Sequence, residues 1–77
     1  MSRRDAIVEA TLRTIGERGA DAVTHRVVAA EAGVPLASTT YYFASKDALV
    51  REAFELVIDR SLALVEAHAA EIGRAHV

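Results

Sequence analysis

Apolar side chains recur every three or four residues along most of this chain, which is the spacing of helices that bury one face. The pattern covers residues 4–18, about 25–32, a short stretch at about 36–42 and a long one over 47–73. The sequence therefore predicts an all-α fold, in which the last stretch is one long helix or two helices broken near Ser61. The positions predicted to form the apolar faces are Ile7, Val8, Thr11, Leu12, Ile15, Val28, Ala29, Ala32, Thr39, Phe43, Leu49, Val50, Ala53, Phe54, Val57, Ile58, Leu62, Val65, Ala69 and Ile72.

The residues between these stretches favour helix ends. Thr24 and Ser45 are predicted N-caps, since their hydroxyls accept hydrogen bonds from the first free backbone N–H groups of a helix. Gly19 is expected to stop the first helix, and Gly33 to stop the second in a left-handed conformation. Pro35 is expected in the first turn of the third helix, where its fixed φ fits.

The composition fits one small helical domain. At 77 residues the chain buries a modest core, and such a size is marginal without a partner or further chain. Hydrophobic residues make up 52% of it, with two tyrosines, two phenylalanines and no tryptophan. It has no cysteine, no membrane-length apolar run and no signal peptide, so we expect a cytoplasmic protein without disulfides.

The net charge of −2 counts against a nucleic-acid partner, but its distribution matters more. Residues 1–46 carry six basic and five acidic side chains, whereas residues 47–77 carry three basic and six acidic ones. The acidic excess therefore lies outside the first three predicted helices.

The third predicted helix has an unusual density of polar groups that suit DNA. Residues 33–46 read Gly-Val-Pro-Leu-Ala-Ser-Thr-Thr-Tyr-Tyr-Phe-Ala-Ser-Lys, with hydroxyls and paired tyrosines on about two helical turns. Serine and threonine lower helix propensity, so stability alone does not explain them. Hydroxyl, phenol and ammonium groups suit phosphates and base edges, and the pattern predicts a helix-turn-helix that binds DNA.

Two other classes of function are alternatives to DNA binding. A helical module that binds another protein through the last helix would account for the acidic charge and for apolar surface left exposed. An enzyme is disfavoured, because the three histidines His25, His68 and His76 are scattered and no nucleophile, base or metal-ligand cluster is apparent. We expect no cofactor and no metal.

The order and spacing of several short motifs resemble the N-terminal domain of tetracycline-repressor-like (TetR family) transcriptional regulators. The resemblance runs from about Ile7 to Leu49. The motifs that carry it are Thr24-His25-Arg26, Ala29, Glu31-Ala32-Gly33-Val34, Tyr41-Tyr42-Phe43, and Lys46 with Leu49.

The resemblance implies a three-helix DNA-binding domain at residues 1–46, with residues 47–77 forming helix four and the link toward an effector-binding and dimerisation domain outside this chain. It implies a homodimer that reads a palindromic operator in double-stranded DNA through helix three. A small-molecule effector would release the DNA, and repression would be the usual outcome.

The resemblance also assigns roles to individual residues. Arg26 is the candidate for bonding a guanine edge, and Leu36, Ala37, Ser38 and Thr40 face base edges. Thr24 and His25 lie where family members contact the phosphate backbone or a base, and Tyr41, Tyr42 and Lys46 where they contact phosphates. This chain departs from the family at Thr39-Thr40, where Leu-Tyr is common.

Overall fold

The computed structural model describes the backbone of residues 2–75 and the side chains of residues 2–71. Four α-helices follow one another: α1 (Arg3–Arg18), α2 (His25–Ala32), α3 (Leu36–Tyr42) and α4 (Lys46–Ala75). One turn of 3-10 helix at Ala20–Ala22 lies between α1 and α2. No strand occurs in this range, and the predicted all-α fold is confirmed.

Three hydroxyl side chains fix where helices begin. The Ser2 Oγ accepts from the backbone N–H of Asp5 at 3.1 Å and caps α1. The Thr24 Oγ1 accepts from the N–H of Val27 at 3.0 Å, so the predicted cap of α2 is confirmed. The predicted cap of α4 is confirmed as well, because the Ser45 Oγ accepts from the N–H of Ala48 at 3.1 Å.

The turn between α2 and α3 depends on Gly33. Its φ of 70° and ψ of 34° are left-handed, as predicted, and its N–H returns to the carbonyl of Ala30. The next residue, Val34, donates to the carbonyl of Ala29 at 3.0 Å. Pro35 was predicted within the first turn of α3, which is wrong by one position. With a ψ of 148° it is extended and stands at the N-cap, since α3 begins at Leu36.

The core lies where α1 meets the other elements. Its fully buried members include Ile7 and Ala10 of α1, Val28 of α2 and Leu49 of α4. Burying these side chains together removes apolar surface from water, which is the main driving force for folding. The other buried core side chains are Val8, Val23 and Phe43.

Three threonines are buried in the same interior, and each satisfies its own hydroxyl. Thr11 donates to the carbonyl of Ile7 at 2.8 Å, and Thr14 donates to that of Ala10 at 2.9 Å. Thr39 donates to the carbonyl of Leu36 at 2.8 Å. An unpaired buried hydroxyl would be costly, so these internal bonds let polar residues occupy core positions.

Helix α4 is continuous past Ser61 and past Gly73, where the apolar pattern had predicted its end. Its apolar stripe splits into two parts. Leu49 and Ala53 are fully buried against α1, but Ile58 is 57% exposed and Leu62 is 55% exposed. The prediction that the whole stripe packs inward is therefore wrong, because α1 covers only the first part of α4. The other exposed members of this stripe are Phe54, Val57, Val65 and Ala69, and the side chain of Ile72 lies outside the described range.

Ion pairs join α1 to α4 at two levels. The Arg4 guanidinium lies 3.1 Å from the Glu52 carboxylate and 5.1 Å from the centre of the Phe43 ring. Further along, the Arg60 guanidinium donates to both carboxylate oxygens of Glu9. These partly exposed pairs add to the packing of Leu49 and Ala53, which holds the first part of α4 against α1. Among residues 2–75, none of the helices has both the length and the apolar character of a membrane span.

Candidate nucleic-acid interface

Helix α3 has one covered face and one open face. Thr39 is completely buried on the covered side. On the open side, Tyr41 is 81% exposed and Leu36 is 42% exposed, and Ala37 and Thr40 are exposed with them. The open face therefore presents the residues that sequence analysis assigned to base edges and phosphates, with the exception of Ser38.

Ser38 is half-buried, and its hydroxyl accepts a hydrogen bond from Arg3 Nη1 at 3.4 Å. The Thr40 hydroxyl donates to the carbonyl of Ala37 at 3.1 Å. Its oxygen can still accept a hydrogen bond from another group. The side chains of α3 thus differ in what they offer: the Thr40 hydroxyl is an acceptor, and Ser38 is linked to a cation.

The first residues of α2 lie next to α3. Thr24 is exposed, and Arg26 is exposed two residues later. His25 lies between them, half-buried, with its Nδ1 3.1 Å from the Thr39 Oγ1. The first turn of α2 therefore packs beside α3 through Thr39, and the exposed residues of these two segments make up the candidate surface.

The tyrosine pair and Lys46 border this surface. The rings of Tyr41 and Tyr42 meet edge to face, with centroids 5.0 Å apart and planes at 88°. Lys46 is exposed, and its ammonium donates to the carbonyl of Asp21 at 3.4 Å. Because an ammonium has three donors, Lys46 has donors left for a phosphate.

The carboxylate of Glu31 on α2 is neutralised within the protein. Arg13 on α1 lies 3.0 Å from it through Nε, and the same guanidinium donates to the Glu31 carbonyl at 3.3 Å. A phosphate near α2 would therefore not meet an unpaired negative charge at this position.

Arg3 is the residue of this surface that sequence analysis missed. It is exposed at the start of α1, and its bond to Ser38 places its guanidinium beside α3. Its charge was visible in the sequence, but its neighbour was not, because 35 residues separate Arg3 from Ser38 and only tertiary packing joins them.

A groove of about 450 Å³ lies between α1 and α4. It is lined mainly by charged side chains, among them Arg4, Glu9, Glu52 and Arg60, which are already paired across the two helices. In the described part of the chain, no three His, Cys, Asp or Glu side chains are grouped as metal ligands would be. The scattered histidines were not expected to bind a metal. His68 is exposed on α4, and His76 lies outside the described residues.

Comparison with known proteins gives a consistent family. Residues 7–53 match the family model described as bacterial regulatory proteins, tetR family. The HTH-type transcriptional regulator PksA of Bacillus subtilis is 41% identical over 58 residues, which are 75% of this chain and 28% of PksA. The HTH-type transcriptional regulator BetI of Agrobacterium fabrum is 50% identical over 50 residues, which are 65% of this chain and 24% of BetI.

Solved structures agree. The multidrug binding protein EbrR, crystallised with ethidium, superposes with a TM-score of 0.84 at 43% sequence identity. The match covers 90% of this chain and 40% of EbrR, and the chain spans about a quarter of the length of the curated relatives it matches. The resemblance seen in the sequence is thereby confirmed, and the chain belongs to the tetR family of bacterial regulatory proteins.

Proposed function

We propose that this protein is a sequence-specific DNA-binding transcriptional regulator, with α3 lying in the major groove. The observation that carries the proposal is the open face of α3, where Thr40 and Tyr41 are exposed and Arg3 contacts the helix at Ser38, with Arg26 and Lys46 exposed on the neighbouring helices. A helix of this size fits the major groove, and cations at its borders suit the phosphates on either side.

The side chains divide by the part of DNA that each one suits. Arg26 has a forked guanidinium that can bond a guanine edge in bidentate fashion, and Leu36 and Ala37 can contact thymine methyl groups. Thr40 is proposed to bond base edges through its hydroxyl, and so is Ser38, although it is half-buried and bonded to Arg3. The proposed phosphate contacts are Thr24, His25, Tyr41, Tyr42 and Lys46, and we add Arg3 because it lies beside α3.

The complete regulator is proposed to be a homodimer that reads a palindromic operator and represses transcription in the cytoplasm. Residues 1–46 would be its DNA-binding unit, and residues 47–77 its link to a domain that dimerises and binds a small-molecule effector. Support comes from relatives roughly four times longer than the matched segment, and from EbrR, which is described as a multidrug binding protein. No catalytic role is proposed for the described residues.

Salt dependence of binding to duplex DNA tests the proposal. Each phosphate contact releases counterions, so affinity should fall steeply between about 50 and 200 mM salt. Lys46→Ala should lower the slope of log affinity against log salt by about 1. One half-site gives weak binding, so the measurement should include a dimeric form, such as two copies joined by a flexible linker. Binding that is absent or insensitive to salt in the dimeric form contradicts the proposal.

A second experiment tests which side chains contact bases and which contact phosphates. Arg26→Ala should relax sequence preference, since one bidentate contact contributes about 1–3 kcal/mol of discrimination between bases. Tyr41→Phe should instead weaken binding to every duplex by a similar factor, since a phosphate carries no sequence information. Comparing the sequences that each variant selects from a random library separates the two effects. If both variants change preference alike, the roles are misassigned.

A second candidate function is a helical module that binds another protein. The exposed apolar residues of α4 favour it, notably Ile58, Leu62 and Leu64, together with the acidic excess of residues 47–77. The two functions separate in the salt experiment, because binding through an apolar face depends little on salt while binding to phosphates depends strongly on it.

A further inference from the structure

His25 and Thr39 form a hydrogen-bonded pair across the helix-turn-helix. The Nδ1 atom of His25 lies 3.1 Å from the Thr39 Oγ1, and the same oxygen lies 2.8 Å from the carbonyl oxygen of Leu36. Thr39 is completely buried and His25 is half-buried. The pair therefore has a protected side at Thr39 and an accessible side on the histidine ring.

A threonine hydroxyl has one proton, so Thr39 can donate in only one of these two bonds. We assign that proton to the Leu36 carbonyl, which is the nearer acceptor at 2.8 Å. The Thr39 oxygen is then an acceptor toward the ring, so the proton of that second bond belongs to His25 Nδ1. A neutral histidine with its proton on Nδ1 has only a lone pair on Nε2.

A lone pair on Nε2 cannot bond a phosphate oxygen, which is itself an acceptor. Only the imidazolium form has N–H groups on both nitrogens, one for Thr39 and one for a phosphate. We propose that Thr39 is a positioning residue for DNA binding: it holds the ring of His25 so that this residue bonds a phosphate only when protonated. The inference rests on the proposed function.

The charged groups around His25 do not supply another partner for the ring. On its own helix these groups are Arg26 and Glu31, and Glu31 is paired with Arg13 of α1. Helix α3, which packs against the ring side of α2, carries the phenols Tyr41 and Tyr42 but no charged side chain.

The preceding 3-10 turn contributes Asp21, whose carbonyl accepts from Lys46 at the start of α4. Arg3 of α1 reaches α3 at Ser38 and not at Thr39. The hydrogen bond to Thr39 is therefore the one that sets the proton position on His25.

Two measurements test the inference at different stages. Nitrogen-15 NMR of the histidine rings, without DNA, should show the neutral ring of His25 protonated on Nδ1. In Thr39→Val, which keeps the shape but removes the acceptor, the neutral ring should change to the form protonated on Nε2. Thr39→Ser retains a hydroxyl and should behave as the original protein. His25→Gln identifies which of the three histidine signals belongs to residue 25.

The second measurement is affinity for a mixed-sequence duplex of about 20 base pairs, between about pH 6 and pH 8. The original chain should lose about tenfold more affinity over this range than His25→Gln, whose amide donates without titrating. Thr39→Val should show a shallower dependence than the original chain, and Thr39→Ser an equal one. Circular dichroism confirms that each variant is folded.

The outcomes separate the inference from the function on which it rests. A neutral His25 protonated on Nε2, or equal pH dependence in the original chain and in His25→Gln, overturns the inference while DNA binding stands. Failure of every variant to bind the duplex at pH 6 and low salt, also as two copies joined by a flexible linker, overturns the proposed function and the role of Thr39 with it. A tautomer change in Thr39→Val with an unchanged pH profile also rejects the role assigned to Thr39.

Discussion

At Gly33 the backbone has a φ of 70°, a conformation that residues with a side chain disfavour. The turn into α3 depends on it, because the two hydrogen bonds that close α2 form only when the chain reverses there. Gly16, by contrast, lies within α1 in ordinary helical conformation. A Cβ atom at either position would meet no other atom within 4 Å, so backbone preference alone distinguishes the two glycines.

Alanine substitution should therefore have opposite effects at these two positions. Gly33→Ala should lower the free energy of unfolding by about 1–2 kcal/mol, the cost of a left-handed residue with a side chain. Gly16→Ala should raise it by about 1 kcal/mol, because alanine is the better helix former. Urea unfolding followed by circular dichroism measures both. A Gly33→Ala variant as stable as the original would mean that the turn tolerates a side chain and that α3 is positioned by packing alone.

At the same scale, the sequence predicted which side chains α3 exposes, with the exception of the half-buried Ser38, but not what these side chains contact. Thr39 was expected to face inward because it precedes Phe43 by four residues, and both are buried. Its hydrogen bond to His25 could not be predicted from the sequence, because the bond depends on how α2 and α3 cross. Arg3 was missed for a similar reason, since charge is readable from a sequence and proximity is not.

At the scale of helices, boundaries were predictable because their causes are local. Thr24, Gly33 and Ser45 act within three residues of themselves, so their effects could be read from the chain. The length of α4 was harder to predict from the sequence. Ser61 has no strong effect on a helix, so neither a break nor continuity could be predicted there, and the sequence does not show which turns of α4 rest on α1.

The two parts of α4 predict different costs for the same substitution. Leu49→Ala removes a completely buried side chain and should lower the free energy of unfolding by about 2–5 kcal/mol. Leu62→Ala, at a position 55% exposed, should change it by less than about 0.5 kcal/mol. Urea unfolding again gives both values.

Because a small domain has little stability to lose, Leu49→Ala can be largely unfolded before urea is added. Leu49→Met, which keeps most of the volume, then supplies a measurable intermediate cost of under about 1.5 kcal/mol. A large loss in Leu62→Ala would show that the outer part of α4 is covered in solution.

For the whole molecule, α1 organises both packing and charge. It contacts every other element, and the molecule is elongated, 54 × 24 × 19 Å, because α4 extends beyond the others. The cations proposed to face DNA come from three helices: Arg3 from α1, Arg26 from α2 and Lys46 from α4. The acidic excess lies along α4, whose first part is joined to α1 by buried side chains and by two ion pairs.

Two arginines at opposite ends of α1 test this arrangement. Arg3→Ala should weaken binding to duplex DNA several-fold and lower the salt slope by about 1, because its guanidinium lies beside α3. Arg18→Ala removes the same charge about 22 Å further along the helix, beyond the screening length of about 8 Å from Arg3, and should change both values less. Equal losses in the two variants would indicate a general effect of net charge and would remove Arg3 from the interface.

The contact between Arg3 and Ser38 also decides where a purification tag can be attached. Residues added before Ser2 would emerge beside the exposed face of α3 and compete with any duplex for that space. The opposite end of α4 is a safer attachment point, since a helix of 30 residues ends about 45 Å from its start. Assays on protein tagged at the amino terminus would therefore underestimate affinity for nucleic acid until the tag is cleaved.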